Sequence, residues 1–234
     1  MMKPHHGFTL LEMAVALLVI GLLLGNFIVP LSARLDTQRI KRTDKTLEEI
    51  KEALLGFALI NGRLPCAAPK LPYVDNDGIN IPISEEEIGK EHLEWCDKEG
   101  FLPWKDLGVG RYDGWGNRFR YRADKVYANG IPNSLKTENT SYRLKIQNKN
   151  KDIDLTSEED YSGKNYSRLV AIIFSSGKNN RAENENDDGD NIYIQDVYVE
   201  DREDETNTFD DRLIWLSKYT LMNRLIAAKQ WYPR

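Results

Sequence analysis

The chain has 234 residues, with 32 Lys and Arg against 37 Asp and Glu, and a formal net charge of −5. That length suits one globular domain of ordinary size beside a shorter accessory segment. The net charge is modest and leaves nucleic acid open as a partner; only the acid-rich residues 183–211 would repel a phosphate backbone and argue against it as the main partner of that region. A charged fraction of 29% and a mean hydropathy of −0.56 describe a soluble average that conceals one sharply apolar stretch.

Within residues 13–31 the only polar side chain is Asn26, and no later stretch resembles this run. Its composition and length predict a membrane-spanning helix, since a hydrocarbon core about 30 Å thick takes roughly 20 helical residues. A cleavable secretory signal would carry its small-residue cut site after the apolar stretch. Here the small residue Gly7 stands before it, behind a short polar leader containing Lys3. A cut at Gly7 would leave the apolar stretch on the mature chain. Glu12 immediately precedes that stretch, at the start of the membrane helix, where a carboxylate is costly unless it is paired or sits at headgroup depth.

Gly7-Phe8-Thr9-Leu10-Leu11-Glu12 resembles the prepilin peptidase signature of type IV pilins and type II secretion pseudopilins. The resemblance implies cleavage between Gly7 and Phe8, N-methylation of the new terminal Phe8, and Glu12 as the fifth mature residue. It also implies that Glu12 pairs with the terminal amine of a neighbouring subunit, a partner that would offset the desolvation of its carboxylate. Gly21 and Pro30 resemble helix-weakening positions of the family, Pro30 standing one residue later. The partners implied are a prepilin peptidase, other pilin or pseudopilin subunits and an inner-membrane assembly platform.

Arg34, Arg39, Lys41 and Arg42 follow the apolar run, against Lys3 and the terminal amine before it. A count of positive charges alone would place the C-terminal side in the cytoplasm. The resemblance implies the reverse: a single pass through the bacterial inner membrane with the head in the periplasm, then a periplasmic or extracellular filament. Cys66 and Cys96, the only cysteines, can pair in an oxidising compartment and would stay reduced in the cytosol. Pairing would close a loop of about 30 residues and contribute on the order of 3 kcal/mol.

Helical spacing continues past the apolar run through Leu47, Ile50, Leu54 and Phe57, and Asn61-Gly62 supplies a stop. One helix over residues 8–61 would be roughly 80 Å long. Strand-like alternation is expected over residues 119–122, 142–146 and 169–174. Residues 113–121, Asp-Gly-Trp-Gly-Asn-Arg-Phe-Arg-Tyr, resemble a stretch of type II secretion major pseudopilins whose aromatics pack the first strand onto the long helix. Trp115 and Tyr121 are accordingly read as core. An amphipathic helix is expected to open near Phe209, capped by Asp210 or Asp211, with Leu213, Leu216, Leu221, Leu225 and Ile226 packing on the head. The fold class expected is α+β and pilin-like: a long N-terminal helix packed on a small antiparallel sheet, with a C-terminal helix. Its segments are a leader (1–7), the long helix (8–61, of which 8–31 forms the transmembrane or filament core) and a periplasmic head (62–234).

Residues 183–211 hold thirteen acids and one base, Arg202. Asp187, Asp188 and Asp190 surround Gly189 with oxygen ligands of the kind Ca²⁺ takes. Major pseudopilins bind calcium between a Ser-x-Gly stretch and a terminal Asp-Asp segment. By that resemblance Ser175-Ser176-Gly177 and Asp210-Asp211 would correspond, and a possible Ca²⁺ would be held among Asp187, Asp188, Asp190, Asp210 and Asp211. A solvated acidic loop is the alternative. Asp75-Asn76-Asp77-Gly78 reads as a turn. No H-E-x-x-H, G-x-S-x-G, phosphate-binding loop or C-x-x-C occurs, and the mature chain would retain one histidine, His92. The chain is therefore read as a structural subunit, minor rather than major, and not as an enzyme. The competing reading is a membrane-anchored periplasmic ligand- or calcium-binding domain outside any filament.

Overall fold

The computed structural model describes residues 9–70, 73–74, 80–84, 87–132, 144–151, 153–159, 165–167, 169–182, 186, 189–197 and 209–230. Side chains of 22–33, 73–74, 80–81, 157–159 and 165–167 are outside that description. The architecture is mixed helix and sheet, and it falls into two units, residues 1–41 and 42–234.

Helix α1 spans Leu10–Asn61 and passes through Gly21 and Pro30 without interruption. Its portion in the first unit begins with Leu10, Leu11 and Met13, all exposed, and side chains stay exposed through Gly21. Among the described residues no helix is long and apolar enough to cross a membrane. The rear half of the apolar run, residues 22–33, lies outside the described side chains.

In the second unit α1 buries Leu47, Ile50, Leu54, Leu55 and Ala58, a stripe on one face of a 3.6-residue repeat. Full burial of each of the larger side chains is worth about 1.5–3 kcal/mol. The helix stops where the sequence predicts. Gly62 takes φ +65° and returns its N–H to the carbonyl of Ala58 at 2.9 Å.

Two short strands follow, β1 (Tyr73–Val74) and β2 (Asn80–Ile81), then a 3₁₀ turn at Leu93–Trp95. Next come β3 (Gly100–Phe101), the single turn α2 (Trp104–Leu107), β4 (Arg120–Ala123) and α3 (Lys125–Asn129). The remaining elements are β5 (Lys145–Gln147), β6 (Ser157–Glu159), β7 (Asn165–Ser167), β8 (Leu169–Ser175), β9 (Ile192–Ile194), β10 (Arg212–Ser217) and α4 (Lys218–Ala227). The main sheet is antiparallel, in the order β10-β8-β4-β3. Pairs β1–β2 and β6–β7 are antiparallel, and β5 pairs with β9 in parallel.

Strand β8 is buried along its whole length because both faces of the sheet are covered. Val170, Ala171 and Ile173 join the α1 stripe, together with Leu221, Met222 and Leu225 of α4. Leu169, Ile172 and Phe174 face a second, smaller core with Leu144, Ile146 and Tyr193. A strand covered on both sides reads as a continuous apolar run.

The C-terminal region corrects the sequence expectation. Residues 212–217 form a strand, not the opening of a helix, and pair with β8 from Arg212↔Ser175 to Ser217↔Leu169. Their run alternates between cores: Ile214 and Leu216 pack on the first, Leu213 and Trp215 on the second. Period-two alternation across a sheet covered on both sides outweighs helical spacing. The helix begins one strand later, and its cap is Ser217, whose Oγ accepts from Thr220 N at 3.1 Å. Of the residues expected to pack, Leu216, Leu221 and Leu225 are buried, whereas Ile226 is exposed.

Candidate functional site

The N-terminal motif enters α1 through a reciprocal cap. Thr9 Oγ1 accepts from the backbone N–H of Glu12 at 3.2 Å, and Glu12 Oε2 accepts from the backbone N–H of Thr9 at 3.2 Å. This is the Ser/Thr-x-x-Glu capping box, in which two unpaired donors of a helix start are satisfied by each other's side chains. The spacing Thr9-x-x-Glu12 ahead of an apolar run carries that signal in the sequence. Gly7 and Phe8, the expected cleavage pair, lie outside the described residues. Glu12 is exposed, and its carboxylate also lies in the favourable field of the helix N-terminus. Every side chain described from Leu10 to Gly21 is exposed, so among the described residues this apolar surface has no cover. In water such a surface is covered by lipid or by another protein.

The head is held by ties between segments distant in sequence. Cys66 and Cys96 form a disulfide, with Cα atoms 4.2 Å apart. Beside it, Arg63 meets Glu91 through two hydrogen bonds of 2.7 and 2.6 Å, and Glu91 Oε2 also accepts from Cys66 N at 3.0 Å. Burial alone would push the Glu91 carboxyl up, but these donors outweigh it and hold it below its ordinary range.

Asp113, buried, is the hub of the Asp-Gly-Trp-Gly-Asn stretch. Oδ1 accepts from the N–H groups of Trp115 and Asn117, both at 2.8 Å, and Oδ2 accepts from Ser175 Oγ at 2.5 Å. The next residue, Gly114, donates its N–H to Thr43 Oγ1 at 2.9 Å, which fastens the stretch to α1. Tyr121 is buried as expected and donates its hydroxyl to the carbonyl of Pro65 at 3.0 Å, while Trp115 is half-buried. Asp113 and Thr43 were not singled out from the sequence; an acid at the head of a Gly-rich stretch was the available signal.

Of the proposed calcium residues, Asp190, Asp210 and Asp211 are described. Asp187 and Asp188 lie outside the described residues. Asp190 Oδ1 accepts from Ile192 N at 2.6 Å, and its backbone carbonyl accepts from the Arg122 guanidinium. Asp210 Oδ2 accepts from the N–H groups of Lys178 and Asn179 at 2.6 and 3.0 Å. Asp211 Oδ2 accepts from Asn186 Nδ2 at 2.8 Å. Neither Asp210 nor Asp211 caps a helix.

The structure does bring Asp210 against the Ser175-Ser176-Gly177 stretch. A Cβ at Gly177, whose φ is +58°, would fall 2.4 Å from Asp210 Cγ. Among the described residues no group of three or more His, Cys, Asp or Glu side chains is placed to hold a metal ion.

Residues 2–25 match the prokaryotic N-terminal methylation motif, the signature carried by type IV pilins and pseudopilins. No curated protein and no solved structure matches the chain. The motif implies a membrane-anchored precursor, processing by a prepilin peptidase and assembly with other pilin subunits, and it points to a structural subunit.

Proposed function

We propose that the chain is a minor structural subunit of a type IV pilus or type II secretion pseudopilus. It is cut between Gly7 and Phe8, methylated on Phe8, and assembled through residues 8–31, with residues 62–234 as the periplasmic head. The observation that carries this reading is the methylation motif over residues 2–25, together with an apolar helix start whose side chains from Leu10 to Gly21 are all exposed. Glu12 supplies a carboxylate for the terminal amine of a neighbouring subunit; the charge pair offsets desolvation when both groups enter an apolar filament core. The Cys66–Cys96 bond favours the head on the oxidising side of the membrane, against the count of positive charges after the apolar run.

The test is co-expression of the full chain with and without a prepilin peptidase, reading intact mass and N-terminal residue. A chain beginning at methylated Phe8 only when the peptidase is present supports the proposal. An uncut chain, or one cut after the apolar run, overturns it in favour of an anchored binding domain. Ca²⁺ binding by Asp190, Asp210 and Asp211 together with Asp187 and Asp188 is a separate proposal. Calorimetric titration of Ca²⁺ tests it: heat that disappears in Asp187→Asn and Asp188→Asn supports it, and no heat of binding removes it.

A further inference from the structure

The head of this acidic protein contains a cationic cleft of about 460 Å³, within the range of small-ligand sites. Four segments build it: Lys70 shortly after Cys66, Phe101 of β3, Asn117 and Arg118 with Arg120 of β4, and Ser176 beyond β8. Two of its three cations meet one carboxylate. Glu99, buried behind the cleft, takes the Arg120 fork and the Lys70 ammonium on Oε1 and the Tyr193 hydroxyl on Oε2. Glu99 is therefore engaged on both oxygens, and among the described residues of the cleft positive charge is in surplus.

Arg118 differs from its neighbours. Its guanidinium lies over the rings of Phe101 and Trp104, 5.1 and 5.6 Å from their centroids. Among the described residues the guanidinium makes no hydrogen bond or ion pair, and the backbone bridges to Tyr112. Stacking on rings fixes the plane of a guanidinium and leaves its N–H edges for a planar partner. Its backbone follows the stretch anchored by Asp113, so the group is held in place before any ligand arrives. Beside it lie the Ser176 hydroxyl, the Asn117 amide, which also donates to the Gly177 carbonyl, and the Tyr112 ring.

We propose that this cleft binds an acidic peptide segment, with Arg118 taking one side-chain carboxylate in a two-pronged pair and Lys70 a second. A flat fork matches a planar carboxylate. The hydroxyl and amide suit a peptide backbone, and the ring walls suit its apolar atoms.

The experiment is fluorescence anisotropy of a fluorescein-labelled tetra-aspartate peptide titrated with the full chain in non-ionic detergent. Saturable binding is expected, weakening as salt rises. Arg118→Gln is expected to lose about tenfold in affinity or more, as for a charge-assisted hydrogen bond. Lys70→Gln should lose affinity as well, while Lys45→Gln, on an exposed part of α1, should lose none. Absence of saturable binding overturns the proposal. So does binding indifferent to Arg118→Gln and Lys70→Gln, or competition by galacturonate or inorganic phosphate as effective as by unlabelled peptide. Should Arg118→Gln not fold, Lys70→Gln and the salt dependence decide the matter in the same terms.

Discussion

Reducing the Cys66–Cys96 bond is the perturbation whose size follows most directly from the structure. The cysteines are 30 residues apart. Loop-closure entropy for that separation gives about 3.5 kcal/mol of stabilisation, exerted on the unfolded chain. The folded state does not depend on the bond to keep its ends together. Arg63 grips Glu91, His92 N–H reaches the Ala67 carbonyl at 3.1 Å, and Ala67 N–H reaches the Trp95 carbonyl at 3.3 Å. Reduction also leaves both sulfur atoms in the core, so no cavity adds to the effect, as it would on replacement by Ala. For a unit of this size each kcal/mol moves the melting temperature by about 2–4 °C, so the expected fall is about 7–14 °C. The assay is thermal unfolding of the full chain in detergent, followed by tryptophan fluorescence with and without dithiothreitol. Free thiols are counted to verify reduction. A fall below about 2 °C with both thiols free would refute the loop-closure reasoning.

Glu12→Gln preserves the capping box, because Gln at that position also reaches the Thr9 N–H, but removes the charge. Filament incorporation is expected to drop at least tenfold with peptidase processing unchanged; incorporation at the wild-type level would assign Glu12 to helix capping alone. Asp124 caps α3 through Val126 N at 2.9 Å, yet burial pushes its carboxyl from 3.8 up to about 6. The folded state thus holds a proton that the unfolded chain releases, so this residue makes stability fall as pH rises from about 4 to 6, by an amount on the order of 3 kcal/mol. Asp124→Asn, which still caps, should melt progressively higher than wild type across that window, and a difference independent of pH would contradict the assignment. Gly177→Ala should destabilise by about 2 kcal/mol or more, since φ is +58° and the new methyl would meet Asp210; chemical denaturation giving an unchanged midpoint would show that the turn can relax.

The parts of this protein that the sequence announced are those whose chemistry is contiguous. Gly7 through Glu12 and the apolar run after it occupy a single stretch of chain, and no folding is needed to bring them together. The α1 stripe and its Gly62 stop were legible for a similar reason, since helical periodicity and a left-handed glycine are local signals. Residues 212–217 were misread because four consecutive apolar residues satisfy both a helical stripe and a strand covered on both faces. What decides between them is β8, nearly forty residues earlier, which offers its free edge to the ladder. The parallel pairing of β5 with β9, equally non-local, left no mark in either strand.

The same distinction separates the two ends of the molecule in function. The apolar start of α1 requires a cover, and the signature over residues 2–25 is one carried by pilins and pseudopilins, which find theirs in a membrane and in other subunits. Such a signature is indifferent to what the head carries. The head's distinctive chemistry arises only where Lys70, Arg118, Arg120 and Glu99 converge, and no pair of residues within one of its segments would suggest a site. Arg118 in isolation reads as one more surface arginine; Phe101 and Trp104 turn it into an oriented anion receptor. Assembly and recognition are therefore separable in this chain. Substitutions at Glu12 should alter incorporation while leaving peptide affinity intact, and substitutions at Arg118 should do the reverse. Measuring both properties on both variants tests that separation, and a variant that lost both together would show that the two ends act as one.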